Sequence, residues 1–219
     1  MPSLSSRPHD ARIAPPILIA GYIALFIWGA INPYDRATWW AENIPIVGIA
    51  VFLVVVYLRG FVFSPVSYVC MSVLLYLHTI GGHYTFERVP FGFVTNLFGF
   101  HRNHYDRLGH FAQGFVPAIL AREILLRRTP LVRGGWLFFL AVCICLSISA
   151  TYEFIEWWAA LLGGNSAEAF LGTQGDPFDT QADMFMALIG AFAAQVLLAR
   201  LHDRQIAKMA TVSRPVTGV

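Results

Sequence analysis

Long apolar runs separated by short polar stretches dominate the sequence and predict helices that cross a membrane. A helix needs about 20 mainly apolar residues to span the hydrocarbon core of a bilayer, and runs close to this length recur along the chain. The predicted spans are residues 17–31, 44–58, 61–80, 108–126, 136–162 and 179–201. The pattern therefore predicts an all-α fold: a polytopic membrane helix bundle with about six transmembrane helices.

The segments outside these runs predict two polar tails and two long connections. The tails are residues 1–14 and 202–219, at the two ends of a single integral membrane domain formed by residues 1–219. The connection over residues 84–107 contains the apolar piece PFGFVTNLFGF, which is too short and too interrupted by glycine to span a bilayer. We therefore expect an interfacial or re-entrant segment there. The connection before the last helix contains several Gly residues and a Pro, which is typical of a loop.

The composition supports a membrane protein and excludes a nucleic-acid-binding one. Of the 219 residues 57% are hydrophobic and 13% are charged, and the mean hydropathy is +0.59, all far from the averages of soluble domains. The formal net charge is +2, and the basic residues are scattered among apolar runs instead of forming a basic patch.

The distribution of Lys and Arg predicts the orientation of the bundle. If the N-terminus is cytoplasmic, 11 of the 15 basic residues fall on the cytoplasmic side of the six spans. This is the positive-inside pattern, so both termini are predicted to be cytoplasmic. Most acidic residues then fall in the outer loops or the outer halves of helices.

One stretch, residues 151–183, contains six carboxylates and no Lys or Arg. Glu153 and Glu156 are three residues apart and share one face of a helix. Asp179 and Asp183 are four residues apart and do the same at the start of the last helix. An ionised side chain in the bilayer costs at least ~2.5 kcal/mol, so these acids need partners. Acids that point at one place repel one another unless protons or cations lie between them.

Histidines are predicted at the same depth as these acids, which suggests a metal site. The third helix brings His83 to its outer end, and the fourth begins there with Asp106 and His110 on one face. Imidazole and carboxylate ligands together suit Zn, Mn or Fe. The predicted metal ligands are His83, Asp106, His110, Glu153, Glu156, Asp179 and Asp183, and the predicted catalytic groups are Glu156 and Asp176.

The sequence leaves the number of metal ions open, and it leaves other roles open for the same residues. Four-helix di-iron and di-manganese proteins use an E-x-x-H spacing, which is absent here, so the centre is predicted to be mononuclear or dinuclear. Asp179 could instead cap the N-terminus of the last helix. A salt-bridge network is the alternative for the whole cluster.

Three arginines on the outer side suggest an anionic substrate. Arg88, Arg102 and Arg107 are unusual there, and the guanidinium fork suits phosphate or carboxylate. They are predicted to bind the head group of a lipid that enters past the apolar piece in the connection 84–107. Neutralisation of the acidic loop is an equally good explanation, and the apolar piece could instead be a plug.

Three motifs resemble those of a known family. At RNHYDRLGHFAQGFVPAILAREILLR, YEFIEWWAAL and FLGTQGDPFDTQADMFMALIGA the sequence closely resembles the YjdF-like family of bacterial inner-membrane proteins, and more distantly it is similar to VanZ-like membrane proteins. The resemblance implies a small multi-pass protein of the bacterial inner membrane. It implies no particular reaction, so no catalytic role is transferred from it.

The function that these observations favour is a metal-dependent membrane enzyme with its site on the periplasmic side. A hydrolase or transferase acting on a phosphate-bearing lipid or lipid-linked substrate is predicted, with a divalent transition metal as cofactor. A di-iron oxygen-activating enzyme is a variant of this hypothesis. The alternatives from other classes are a cation or proton-coupled transporter or channel and a non-catalytic accessory protein. The sequence does not indicate an oligomeric state.

Overall fold

The computed structural model describes residues 9–163 and 173–212, and within them every regular element is an α-helix. The predicted all-α membrane bundle is confirmed. The seven helices of this described part are α1 His9–Ala30, α2 Arg36–Leu58, α3 Pro65–Tyr84, α4 Gly92–Phe98, α5 Tyr105–Arg128, α6 Gly135–Gly163 and α7 Asp179–Val212.

Four of the described helices are long and apolar enough to cross a membrane: α2, α3, the part Gly135–Leu161 of α6 and the part Asp179–Ala210 of α7. In α1 the apolar part, Pro15–Ala30, is shorter. The helix α5 is more polar than the others, and it packs against α3, α6 and α7. Its polar side chains Arg107, His110, Arg122 and Glu123 are buried in this packing.

The helix ends follow local capping rules. The side chain of Asp35 accepts a hydrogen bond of 2.7 Å from the backbone N–H of Thr38 and so caps the N-terminus of α2. The hydroxyl of Ser64 caps α3 in the same way, with Pro65 in the first turn, where a missing N–H costs nothing. The α4 helix ends at Gly99, whose φ of 66° suits a residue without a Cβ.

Several helices extend beyond the predicted spans. The α1 helix begins at His9, α2 begins at Arg36 and α7 continues to Val212, so parts of the polar tails predicted at residues 1–14 and 202–219 are helical. The extension of α7 is held by its contacts: Gln205 accepts a hydrogen bond of 2.9 Å from the N–H of Val66. Residues 1–8 and 213–219 of those tails, and residues 164–172 of the predicted loop, lie outside the described part.

The short helix α4 occupies the connection in which we expected an interfacial or re-entrant segment. Its large apolar side chains are exposed: Phe93 is 70% exposed, Leu97 76% and Phe98 64%. A helix of this length cannot span a bilayer, and its exposed face is of the kind that lies at a membrane interface.

The six long helices alternate in direction, so the bundle has two chemically different ends. The acidic end, as we name it, contains Asp106, Glu153 and Asp183, and the basic end contains Arg127 and Arg133. Helices α1, α3 and α6 run towards the acidic end, and α2, α5 and α7 run away from it. The described chain therefore begins and ends at the basic end. That the acidic end faces the periplasm stays a prediction.

Small residues bring α5 and α7 into the closest helix contact of the site. A Cβ on Gly114 of α5 would lie 1.8 Å from the carbonyl oxygen of Ala187 on α7, and a Cβ on Gly190 would lie 2.1 Å from that of Phe111. In membrane bundles such glycines allow two backbones to touch. This contact lies one turn from His110 on α5 and one turn from Asp183 on α7 and so holds both in place.

Candidate functional site

His110 is the centre of the polar cluster at the acidic end, with carboxylates beside both of its ring nitrogens. Its Nε2 lies 3.6 Å from Oδ1 of Asp106 and 3.8 Å from Oδ1 of Asp183. Its Nδ1 lies 3.7 Å from Oε1 of Glu153. The side chains of His110, Glu153 and Asp183 are 5%, 6% and 3% exposed, and that of Asp106 is 13% exposed. Three helices thus bring four predicted ligands together.

The spacing of these groups is compatible with a metal ion. Two ligand atoms on one ion lie at most about twice ~2.2 Å apart, and both carboxylate distances to Nε2 are shorter than that limit. One ligand atom each from Asp106, His110 and Asp183 lie within 4.8 Å of one another. A second set with the same property consists of His110, Glu153 and Glu156. The two sets share His110, so within the described residues they form one centre.

Glu153 is placed to orient His110. Neither Nδ1 of His110 nor Oε1 of Glu153 has a hydrogen-bond partner among the described residues, although both atoms are buried. They lie 3.7 Å apart, so a small rotation would join them. A histidine that binds a metal through one nitrogen usually donates the other N–H to a carboxylate, which fixes its tautomer. Glu153 fits this supporting role, and Nε2 is then available to an ion.

Arg102 and Arg107 are held by acids at the start of α7. Arg107 donates 2.7 Å and 3.1 Å hydrogen bonds to the carboxylates of Asp179 and Asp176 and a further one to Asp183. Arg102 donates to Asp179 at 2.9 Å. These contacts favour the salt-bridge alternative for the two arginines, for Asp176 and for Asp179. They tie the chain before α7 to the start of α5.

The charges of these arginines also act on the residue that precedes α5. The pKa of His104 is lowered, first by burial and then by the positive charges of Arg102 and Arg107. His104 is therefore more easily kept neutral than an isolated histidine.

Two predicted site residues lie apart from the cluster. Nδ1 of His83 lies 2.9 Å from the carbonyl oxygen of Gly29, and its ring packs against Trp28. It therefore joins α3 to α1 instead of facing α5. Arg88 lies over the ring of Tyr34 and pairs with Glu87 at 3.2 Å. Both residues are near the acidic end, as predicted, but His83 faces α1 from the last turn of α3, and Arg88, beyond the end of α3, contacts the connection between α1 and α2.

A second polar group, which sequence reasoning did not select, faces the same space. Oε2 of Glu42 on α2 lies 3.2 Å from Nε2 of His78 and accepts a 3.0 Å hydrogen bond from the hydroxyl of Tyr152. Glu42 is only 4% exposed. The signal that could have found it is an acid at the start of an apolar run, two residues after Trp40, where an unpaired charge is costly.

A pocket of about 430 Å³ connects these groups to the membrane-facing side of the bundle. It lies between α2, α3, α5 and α6, and its volume is typical of small-molecule sites. The part of the pocket at the acidic end is polar, and the rest is apolar. The polar residues that line it are Thr38, Glu42, His78, Thr85, Asp106, His110, Gln113, Tyr152 and Glu156. Asp176 does not line it, whereas Glu156, the other predicted catalytic group, does.

A third buried polar group lies at the basic end and serves the fold. Glu123 is fully buried and accepts hydrogen bonds from the N–H of Ser64 at 2.9 Å, the hydroxyl of Ser67 at 2.6 Å and Arg127 at 2.6 Å. Nε2 of His202 lies 3.1 Å from it. The carboxylate thereby joins α3, α5 and α7. The sequence analysis did not select Glu123.

Apolar side chains separate the acidic-end cluster from the Glu123 group. This layer includes Cys70, Val116, Ile119, Cys145 and Ala191, each buried. Along α5 the two groups are about 20 Å apart, from His110 to Glu123 at ~1.5 Å per residue. Within the described residues, this layer lies between the two groups, and the pocket runs beside it, where Leu120 and Ile124 of α5 make its lining apolar as well.

Comparisons with known proteins agree with this fold and with the resemblance seen in the motifs. A family described as predicted membrane protein (DUF2238) matches residues 14–204. The inner membrane protein YjdF of Escherichia coli (strain K12) is 45% identical over 194 residues, which cover 86% of this chain and 90% of that protein. No solved structure matches the chain. The YjdF-like resemblance is confirmed, and the more distant VanZ-like one stays a prediction.

Proposed function

Since the chain belongs to the DUF2238 family of membrane proteins and is a multi-pass protein of the bacterial inner membrane, we propose that it is a membrane enzyme whose active site is the His110 cluster. The cofactor in this proposal is one divalent transition metal ion, Zn, Mn or Fe, held by Nε2 of His110 and by Asp106 and Asp183. Glu153 supports His110 from its other nitrogen.

The observation that carries this proposal is the position of His110 between buried carboxylates at the polar end of a pocket that faces the membrane. Burial of several acids around one imidazole is costly unless cations compensate them. Arg107 offsets part of the charge of Asp183 and Asp179. A divalent ion at Nε2 would compensate the remaining charge, and it would explain why so many acids converge there.

The chemistry follows from where the groups lie relative to the pocket. A metal ion in such a site polarises a substrate oxygen or makes a bound water more acidic. Glu156 lines the same pocket and has a carboxylate oxygen within 4.8 Å of a ring nitrogen of His110, so it is our candidate for the general base. Hydrolysis or group transfer is the reaction class that these parts support.

The positions of the arginines do not add support for a phosphate head group. Arg102 and Arg107 are engaged by Asp176, Asp179 and Asp183, and Arg88 lies towards α1. Among the described residues that line the pocket there is no Lys or Arg. A phosphate could still be bound through the metal ion, so phosphate-bearing lipids stay within the proposal as one kind of substrate.

Two alternatives receive less support. A transporter or channel for cations or protons needs a route between the two ends, whereas the buried layer around Val116 and Ile119 is apolar. A di-iron centre normally uses two histidines, and the second histidine of the pocket, His78, is engaged by Glu42. One ion at His110 is therefore the simpler proposal.

Metal analysis of the detergent-purified protein tests the proposal. After removal of metal with a chelator and reloading with Zn, Mn or Fe, the wild type should bind close to one ion per chain. His110→Ala and Asp183→Asn should lose that ion. His83→Ala is the matched control, since this histidine faces α1 and should not affect metal content. If His110→Ala keeps the wild-type metal content, or the wild type binds none of the three metals, the proposal is wrong.

A further inference from the structure

We propose that the apolar part of the pocket holds one hydrocarbon chain of a membrane lipid, taken from the leaflet at the acidic end. This inference deepens the proposed function by naming the substrate class. It rests on that function only for the statement that the bound lipid is a substrate. Binding of the chain itself depends on the shape of the pocket.

The lining of the pocket below its polar end is suited to hydrocarbon. The side chains there come from four helices and have no polar atoms, which leaves the hydrophobic effect and packing as the binding forces. These side chains include Ile46, Ile49 and Phe52 of α2, Leu74 of α3, Leu120 of α5 and Ile148 of α6.

The pocket opens sideways, between α2 and α6, instead of only towards the end of the bundle. On α2, Ile49 is 45% and Phe52 64% exposed, although both line the pocket. On α6, Ile144 is 36% and Ile148 40% exposed. In a bilayer these side chains face the acyl chains of lipids. A lipid chain could therefore enter through this opening without leaving the hydrocarbon region.

The depth of the apolar part matches one leaflet. From Glu42 at its polar end to Leu53 at its far end the pocket follows α2 for about 16 Å, at ~1.5 Å per residue. Half of the hydrocarbon core of a bilayer is about 15 Å thick. A chain lying along α2 would thus keep the depth that it has in the leaflet, and the lipid head would reach the level of Glu42, His110 and Glu156.

The volume of the pocket, about 430 Å³, suits one acyl chain and not a whole diacyl lipid. Ile46 lines the pocket and is only 4% exposed, because it also packs against Tyr22, Ala50 and Leu75. The second chain of a diacyl lipid would remain outside, against the exposed surface of α2 and α6. Labelling of Ile46 therefore distinguishes a lipid bound in the pocket from a lipid that merely surrounds the protein, which does not reach this residue.

Photolabelling in nanodiscs tests this inference. The probe is a phosphatidylethanolamine with a diazirine in the middle of one acyl chain, and labelled positions are mapped by peptide mass spectrometry. The wild type should be labelled at Ile46, in addition to outer positions such as Val51, which is 56% exposed and does not line the pocket. Ile148→Trp should lower labelling at Ile46 about tenfold, equivalent to ~1.4 kcal/mol of binding free energy.

Two further variants separate this inference from the proposed function. Val51→Trp, a substitution of similar size outside the pocket, should leave labelling at Ile46 unchanged. Asp106→Asn should abolish metal binding and keep that labelling. Labelling at Val51 but not at Ile46 in the wild type would overturn the inference, and so would equal labelling at Ile46 in the wild type and Ile148→Trp. Labelling of Ile46 in a wild type that binds none of the three metals would support the lipid pocket and refute the metal enzyme.

Discussion

Gly114 on α5 lies directly against the backbone of Ala187 on α7, so that a Cβ on Gly114 would be 1.8 Å from the carbonyl oxygen of Ala187. This contact is one helical turn from the place where His110 and Asp183 approach each other. The site therefore depends on a helix crossing that only a residue without a side chain allows.

Gly114→Ala should destabilise the protein by ~3 kcal/mol, because the clash involves backbone atoms that cannot rotate away. It should also lower metal content, since α5 and α7 both carry proposed ligands. Thermal unfolding in detergent and metal analysis measure the two effects.

The control is Gly48→Ala: a Cβ there meets no atom within 4 Å among the described residues, so stability should stay the same or rise by ~0.5–1 kcal/mol. Equal behaviour of the two variants would contradict the proposed role of the crossing.

Glu153→Gln should weaken metal binding about 10–100-fold without abolishing it, the usual effect of losing a carboxylate that orients a metal-bound histidine. The glutamine keeps the size of the side chain but not its charge. Competition with a chelator of known affinity gives the dissociation constant. A complete loss of metal, as expected for His110→Ala, would instead make Glu153 a direct ligand.

Glu123→Ala should destabilise the bundle by ~3–5 kcal/mol, because it leaves the buried His202 and the partly exposed Arg127 without their shared carboxylate. The comparison is Glu87→Ala, which removes a partly exposed ion pair with Arg88 and should cost at most ~1 kcal/mol. Both variants should still bind metal as long as they are folded. Metal loss in folded Glu123→Ala would show that the two ends of the bundle are coupled.

Asp35→Ala should lower stability by ~1 kcal/mol at neutral pH, through loss of the N-terminal cap of α2. The hydrogen bonds from Thr38, first from its backbone N–H and then from its hydroxyl, hold the pKa of Asp35 below its usual value of 3.8. Because the folded-state pKa is the lower one, the extra stability is complete above 3.8 and is lost as the pH falls through the folded-state value.

The unfolding temperature as a function of pH measures this loss, and Asp35→Asn is the matched control. Asparagine also caps a helix but does not titrate in this range, so the wild type should lose its advantage over Asp35→Ala at low pH while Asp35→Asn keeps it. A difference between wild type and Asp35→Ala that does not change with pH would contradict the cap assignment.

Much of the fold could be predicted because the bilayer restricts which secondary structures a spanning segment can adopt. The apolar runs gave all six long helices, since only helices satisfy the backbone of a spanning segment of this kind. The ends were less accurate: α7 continues past residue 201 because Gln205 and Asp203 find partners on neighbouring helices. Such partners are distant in sequence, so a local pattern cannot indicate them.

The candidate site was predicted in part, for a similar reason. The spacing of Asp106 and His110, and of Glu153 and Glu156, fixes which residues share a helix face, and alternating helix direction fixes their depth. Neither the spacing nor the helix direction fixes the rotation of each helix about its axis. That rotation turned His83 towards α1 and brought Glu42, His78 and Tyr152 into the pocket.

The sequence by itself thus determined the class of protein, the number of long helices and the gathering of acids and histidines at one end, because hydrophobic length and charge position are properties of single segments. Only the tertiary structure decided which groups meet at His110, which arginines are already paired and where the pocket opens to the membrane. Those features depend on how helices pack, and the packing of α5 on α7 is decided by contacts such as that between Gly114 and Ala187.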